Sequence, residues 1–300
     1  MQGKKRIGWI GTGVMGASMA GHLLKGGCPV SVYNRTRSKA QALLDAGARW
    51  LESPQEVART SDIVFTMLGY PHDVEQTILG EKGVLSGLAK GAVVCDMTTS
   101  SPELAKRIAQ AAKDKGCAAL DAPVTGGDVG ARDAALCILV GGDDAVFEQL
   151  KPYFDLMGKR VTHFGKAGMG QRAKLANQIA VAGLMFSVCE SLLYAHEAGL
   201  DVRTWRETVS GGAAGSTPLN TLGPRILDGN FAPGFYSEHF LKDLELCVAE
   251  CRRMKLVLPG LALAEQMYRL MVANGRGQDG TQALICALAK LSGREWTSVR

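Results

Sequence analysis

An α/β architecture is predicted, with an N-terminal doubly wound and mostly parallel sheet, a long inter-domain helix, and a C-terminal all-α domain. Three observations predict it. Residues 5–10 form a short apolar strand that runs into Gly11-Thr12-Gly13-Val14-Met15-Gly16, a G-x-G-x-x-G turn opening a helix with Met15, Met19 and Leu23 on its inner face. Apolar strands then alternate with helices as far as His163, the pattern of right-handed crossovers in a sheet covered on both faces. Residues 171–198 hold no breaker except Gly183, and everything beyond reads as helix.

The glycines decide what the first turn holds. The first permits the tight turn, the second lets a pyrophosphate approach the backbone, and the third lets helix pack on strand, while free amides at the helix start face phosphates. The sheet is therefore of the Rossmann type. Gly26-Gly27 stop the helix, and a second strand over 29–33 ends on Asn34-Arg35-Thr36-Arg37. An NAD site places Asp or Glu about 20 residues past the glycines to grip the ribose 2′-hydroxyl. Asn34 stands there instead, and Arg35, Thr36, Arg37 and Lys39 offer donors to a 2′-phosphate, which points to NADP(H). The other reading of this cluster is a solvated basic loop.

Further along, residues 39–45 are helical, and Ser53-Pro54-Gln55-Glu56 is a capping box opening a short helix. A third strand over 62–68 is broken by Gly69-Tyr70-Pro71 and followed by a helix over 74–79. The next strand, 92–96, leads through Met97-Thr98-Thr99-Ser100 to Ser101, which can cap a helix over 102–112. Short strands over 118–121, 136–140 and 160–163 complete the sheet. Ligands of such sheets bind outside the carboxyl ends of the strands, so Met67, Leu68, Gly69, Thr98 and Thr99 are expected to line one crevice with the glycine turn. The stretch 121–131 reads as a polar glycine-rich loop. Amides around Gly126 and Gly127 either form a nest for a carboxylate or serve only the chain's geometry.

Two domains are expected, 1–164 and 165–300, the second opening with the linking helix at about 169–198. At 1.5 Å per residue that helix is roughly 40 Å long. Its centre, 179–189, is apolar almost all round, so burial on every side is expected, inside one domain or between subunits. Helices follow over 202–209, 219–227, 241–254, 262–273 and 282–291, with loops at 211–215 and 228–234. Lys174 lies in the first turns of the long helix, with Asn177 and Gln178 on the same face. In a partly dry cleft such an amine moves protons; on a wet surface beside amides it does nothing, and spacing alone leaves both open.

Composition narrows the function classes. The 300 residues are 46% apolar and 21% charged, enough for two cores, and the net charge of +5 (34 basic minus 29 acidic) owes part of its excess to the cluster at 35–39. The remaining basic residues are dispersed, and Arg252, Arg253 and Lys255 read as a wet helix face, so no nucleic-acid partner is implied. Eight cysteines show no C-x-x-C pair and no grouping with the five histidines, which suggests buried reduced thiols and no metal. No leader precedes the first strand, and the longest unbroken apolar run, 179–186, is short of the roughly 20 residues that span a bilayer. A cytoplasmic chain with no membrane partner is expected.

Four segments together resemble the β-hydroxyacid dehydrogenase family, which includes 3-hydroxyisobutyrate dehydrogenases, tartronate semialdehyde reductases and glyoxylate/succinic semialdehyde reductases. They are the turn from Gly11 to Gly16, Asp121-Ala122-Pro123-Val124-Thr125-Gly126-Gly127, Gly168-Met169-Gly170-Gln171-Arg172-Ala173-Lys174-Leu175-Ala176-Asn177, and Lys242-Asp243-Leu244. The resemblance implies that Lys174 is the general acid/base, that Thr125, Gly126 and Gly127 hold a substrate carboxylate, and that Asn177 orients the substrate. It implies too that Thr99 lies near the nicotinamide, that Lys242 serves cofactor and substrate, and that the helical domain makes a homodimer or homotetramer.

The chain departs from the family at Thr125, often serine, at Gln178, often a second asparagine, and at Ala134-Ala135, commonly Gly-Thr. Asn34-Arg35-Thr36 looks like the NADPH-using reductases. The implied activity is reduction of a small carboxylate-bearing aldehyde of the glyoxylate or succinic semialdehyde type. A 3-hydroxyisobutyrate or tartronate semialdehyde dehydrogenase is the alternative. Imine reductases resemble the architecture but typically replace the lysine, and a non-catalytic NADP-binding module is the reading from another class.

Overall fold

The structure, a computed structural model, describes residues 4–299; residues 1–3 and 300, on which the expectation about a leader partly falls, lie outside that range. By its internal contacts the chain divides into two compact units, Met1–Lys174 and Leu175–Arg300. This division comes ten residues after the expected one at 164/165, because the first turn of the long helix is hydrogen-bonded to strand ends of the first unit.

The strands of that unit are β1 (Ile7–Ile10), β2 (Val30–Tyr33), β3 (Arg49–Trp50), β4 (Ile63–Thr66), β5 (Val93–Asp96), β6 (Ala118–Asp121), β7 (Val124–Thr125), β8 (Leu136–Gly142) and β9 (Gly158–His163). They lie in the order β3-β2-β1-β4-β5-β6-β8-β7, with β9 on β8. Pairing is parallel from β3 to β6, antiparallel where β8 meets β6 and β7, and parallel again at β9. Both faces of the central strands are buried, as crossover helices on both sides require. The period of two sorts their side chains: Ile63 and Phe65 enter the core that holds Trp9 and Phe154, whereas Val64 enters the opposite core with Ile10 and Val94.

Around the sheet lie α1 (Val14–Lys25), α2 (Gln41–Asp45), α3 (Pro54–Arg59), α4 (Pro71–Leu79), α5 (Val84–Gly87), α6 (Pro102–Asp114), α7 (Gly127–Arg132) and α8 (Asp144–Phe154). Two caps are as expected: Ser101 Oγ accepts from the amides of Glu103 and Leu104, and Ser53 Oγ from that of Glu56 at 3.1 Å. The reciprocal arm of the second box lands one residue early, Glu56 accepting from the Glu52 amide at 3.0 Å. The stretch 121–131 is not the loop expected, for it holds β7 and then α7. Ala134, where the family commonly has glycine, sits at φ 51, a left-handed conformation that costs a non-glycine residue roughly 1 kcal/mol.

The second unit is helical: the linking helix α9 (Met169–Glu197) continues into it and is followed by α10 (Val202–Val209), α11 (Thr217–Thr221), α12 (Gly223–Leu227), α13 (Ser237–Met254), α14 (Pro259–Ala273) and α15 (Leu284–Leu291). The single helix expected over 219–227 is two, because Pro224 has no amide to continue a helical ladder and starts a new one instead. The core is built on α9, α13 and α14, with Phe240 and Tyr268 meeting edge to face at 4.8 Å.

Within one chain α9 is buried on its inner side only, so the first of the two expected settings, inside one domain, does not cover it all round. Leu175, Ala182, Met185, Val188, Cys189, Leu192 and Ala195 enter the core, whereas Leu184 (41% exposed) and Tyr194 (74%) lie with Ala176, Ala180, Gly183 and Ser187 on an open face. By length and composition alone α9 is apolar enough to cross a membrane, with a mean hydropathy of 1.5 in its most apolar stretch. The unbroken apolar run 179–186 remains short of a span; it is the whole 29-residue helix that qualifies. Its inner face is packed as the core helix of a unit.

Candidate active site

The first unit brings the glycine turn together with the loops after β2, β4 and β5. Gly11 has φ +96, and a Cβ there would stand 2.1 Å from the Met67 carbonyl; one on Gly16 would stand 2.0 Å from the Gly11 carbonyl. A Cβ on Gly13 would meet nothing within 4 Å, so the backbone faces open space at the glycine that must admit a pyrophosphate. Thr12 is buried, and its hydroxyl has no hydrogen-bond partner among the described residues. An open backbone cradle with a buried hydroxyl left to bond is what a phosphate-bearing ligand would complete, so these residues fit a dinucleotide. Val14 is exposed and Met15 packs on the sheet core.

Asn34 is more than the absence of an acid. Its Oδ1 accepts from the Thr12 amide at 3.1 Å and its Nδ2 donates to the Thr36 carbonyl at 2.9 Å, clipping the end of β2 to the glycine turn. Arg35 donates to Asp73 on α4 at 3.0 Å while most of its side chain stays in solvent, and Arg37 lies over the Trp50 ring at 5.3 Å. The expected phosphate donors are thus held at the mouth by weak surface contacts. Across the crevice, the Leu68 amide donates to Thr98 Oγ1 at 2.9 Å and the Met67 amide to the Ile10 carbonyl at 2.9 Å. Thr99 follows, half-buried.

A second cluster fixes the start of α9. Asp96 and Asp121 end neighbouring strands in register. One oxygen of Asp96 accepts from the Thr66 hydroxyl and the Thr98 amide; the two oxygens of Asp121 accept from the Gly168 amide at 2.7 Å and the Gln171 amide at 2.8 Å. Gln171, fully buried, accepts from the Ser100 amide and donates to the Thr98 carbonyl, both at 2.8 Å. One turn further along α9 is Lys174, only 7% exposed. Burial pushes the Asp121 carboxyl up to about 6, against the two amides and with help from the Asp96 charge. Thr98 was expected to line the crevice; Asp96, Asp121 and Gln171 were given no role in the site. The available signal was an aspartate closing each of two adjacent strands.

Thr125 ends β7 half-buried, and Gly126 (φ 134) and Gly127 (φ 64) carry the chain exposed into α7, whose first turn holds Asp128. In the second unit, Asn177 Nδ2 donates to Gln178 Oε1 at 2.8 Å, Gln178 Nε2 donates to Asp243 Oδ2 at 2.6 Å, and Lys242 Nζ stands 2.7 Å from Asp243 Oδ1. His239, one turn before Lys242, is pushed down by burial and by that ammonium. The structure thus joins Asn177 to Lys242 through Gln178 and Asp243. Among the described residues no three His, Cys, Asp or Glu side chains converge on a metal position, and all eight cysteines are free.

The raised carboxyl of Asp121 has a defined sign. The native state holds that proton more tightly than the unfolded chain, whose aspartates titrate near 3.9. Ionising it therefore costs stability, nothing below about pH 4 and in full above about pH 6, on the order of 2–3 kcal/mol. The unfolding free energy of the native protein minus that of Asp121→Asn should fall as pH rises through this window. A difference that stays constant would contradict the raised carboxyl.

Known proteins resemble the chain along most of its length. Residues 6–165 match the NAD binding domain of 6-phosphogluconate dehydrogenase, and residues 168–288 match the NAD-binding domain of NADP-dependent 3-hydroxyisobutyrate dehydrogenase. The probable 3-hydroxyisobutyrate dehydrogenase-like 1 of Arabidopsis thaliana, named as mitochondrial, is 55% identical over 288 residues, covering 96% of this chain and 86% of that protein. The 2-hydroxy-3-oxopropionate reductase of Escherichia coli K12 is 40% identical over 283 residues, covering 94% and 97%. The solved structure of Mycobacterium tuberculosis 3-hydroxyisobutyrate dehydrogenase with L-serine superposes with a TM-score of 0.85 at 26% identity, covering 95% of this chain and 99% of that one. With its dinucleotide turn, its buried lysine on the linking helix and these relatives along its whole length, the chain is an NAD(P)-binding oxidoreductase acting on CH–OH groups and belongs to the β-hydroxyacid dehydrogenase family.

Proposed function

We propose that the chain uses NADPH to reduce a small carboxylate-bearing aldehyde, of the glyoxylate or succinic semialdehyde type, to the hydroxy acid, and that it catalyses the reverse oxidation. The observation that carries this reading is the buried Lys174, one turn beyond an α9 start that is hydrogen-bonded to the ends of β5 and β6. Bound NADPH supplies the hydride. Lys174 supplies the proton that the incipient alkoxide needs, and takes it back in the oxidation. Thr125 and the amides of Gly126 and Gly127 are assigned to the substrate carboxylate, Thr99 to the nicotinamide side, and Asn177 and Lys242 to further substrate contacts.

NADPH is preferred to NADH on two grounds. Asn34 presents no charge against a 2′-phosphate, and Arg35 is exposed enough to leave Asp73 for a doubly charged anion. The relatives' names favour a second reading, oxidation of 3-hydroxyisobutyrate or reduction of 2-hydroxy-3-oxopropionate. Initial rates on glyoxylate, succinic semialdehyde, methylmalonate semialdehyde and 2-hydroxy-3-oxopropionate, each with NADPH, separate the two.

Lys174→Ala should lower kcat by roughly 10² or more while NADPH still binds, the scale of lost general acid/base catalysis. Turnover unchanged by that substitution would remove the assignment. Arg35→Ala should raise the KM for NADPH about tenfold and leave that for NADH in place, as befits one charge-assisted contact; equal effects on both cofactors would count against a 2′-phosphate role. The exposed apolar face of α9, with Leu184 and Tyr194, is assigned to a second copy of the chain in a homodimer or homotetramer. Light scattering should then give at least twice the 31.8 kDa of one chain, and a single-chain mass would refute it.

A further inference from the structure

We infer that the buried Asp243 carboxylate sets the direction of a chain of side-chain amides and so fixes Asn177 as a hydrogen-bond acceptor toward the substrate, matched to the hydroxyl of the hydroxy acid. The inference rests on the proposal that Asn177 faces substrate, and goes beyond it by naming the atom presented and the group that atom selects.

The argument runs from the buried end outward. Asp243 is 1% exposed, and its Oδ1 lies 2.7 Å from the Lys242 ammonium, a group that can only donate. Its other oxygen lies 2.6 Å from the Gln178 amide. At that distance the amide must turn its Nε2 inward, since two oxygens would repel. Gln178 is itself 2% exposed and has no access to water that would let it turn round. Its Oε1 is thereby aimed at Asn177, which must answer with Nδ2, as the 2.8 Å contact records. The contact takes one of the two Nδ2 protons and fixes which end of the amide faces Gln178, so the other end, Oδ1, is assigned to the ligand.

An acceptor at this place does not suit a carboxylate or a carbonyl oxygen, both of which only accept. It suits an O–H, and a site built to bond a hydroxyl discriminates against the analogue that lacks one. Gln178 is what makes the chain possible. Asparagine, often found at this position in the family, is one methylene shorter.

The test compares inhibition of the NADP⁺-loaded enzyme by matched acids with and without the hydroxyl: glycolate and acetate, 4-hydroxybutyrate and butyrate, 3-hydroxyisobutyrate and isobutyrate. In the native protein the hydroxyl should tighten binding at least fivefold in the pair that fits the pocket. Gln178→Met removes both amide ends while leaving Asp243 and Lys242 paired, so Asn177 is free to turn over and the ratio should fall toward one. Adding Asn177→Asp, which accepts whichever way it is turned, should restore the ratio even though every acid binds more weakly beside the new charge. If Asn177→Ala leaves the ratio untouched, Asn177 does not face the hydroxyl and the underlying proposal fails. If Asn177→Ala collapses the ratio but Gln178→Met does not, Asn177 meets the hydroxyl and the control by Asp243 is overturned.

Discussion

The grip of the Asp121 carboxylate on two amides at the start of α9 is the interaction on which the site's geometry depends. A long helix begins with amides that have no partner of their own, and here two of them, from Gly168 and Gln171, end on one buried carboxylate at the tip of β6. Gln171 adds both ends of its side chain to backbone groups of Ser100 and Thr98 beyond β5. The helix can then neither slide nor turn about its axis without leaving buried polar groups unpaired, each worth roughly 1–3 kcal/mol. Lys174 inherits that constraint, because a side chain one turn along a rigid helix is aimed by whatever aims the turn before it.

Burying the carboxylate raises its proton affinity, so stability is given up at neutral pH for the sake of position. Asp96, in register with it on β5, does the same work on the neighbouring loop through Thr66 and Thr98. The glycine turn is held by a different device. There the Asn34 side chain, reaching across from β2, takes the Thr12 amide and leaves the Thr12 hydroxyl unspent. One uncharged residue thus ends β2 where an acid is common and props the glycine turn.

Features fixed by neighbours in sequence could be read before the structure. The glycine turn, the serine caps at 53 and 101, and the helix over 202–209 follow from residues one to four positions apart. Two-residue strands such as β3 and β7 show no period at all, and the glycines at 126, 127 and 130 concealed α7. Which face of α9 meets the unit's own core and which lies open in one chain was not legible, because Ala176, Ala180 and Leu184 look the same in sequence in either place. The polar clamps were beyond reach for another reason: Asp121 finds its partners 47 and 50 residues away, and Gln178 finds Asp243 at a separation of 65. Lys174 stood out by its place on the long helix, with Asn177 on the same face; their roles, and Lys242, came by resemblance, and the groups that steady Asn177 and Lys242 came only from the folded chain.

The account turns on where the Lys174 amine points when cofactor and substrate are bound. A crystal structure with NADP⁺ and a short hydroxy acid tests this most directly. It should place Lys174 Nζ within about 3 Å of the hydroxyl oxygen, with the Asp121 carboxylate still on the amides of Gly168 and Gln171. An amine turned away from the hydroxyl, with another group of the protein at that oxygen, would contradict it.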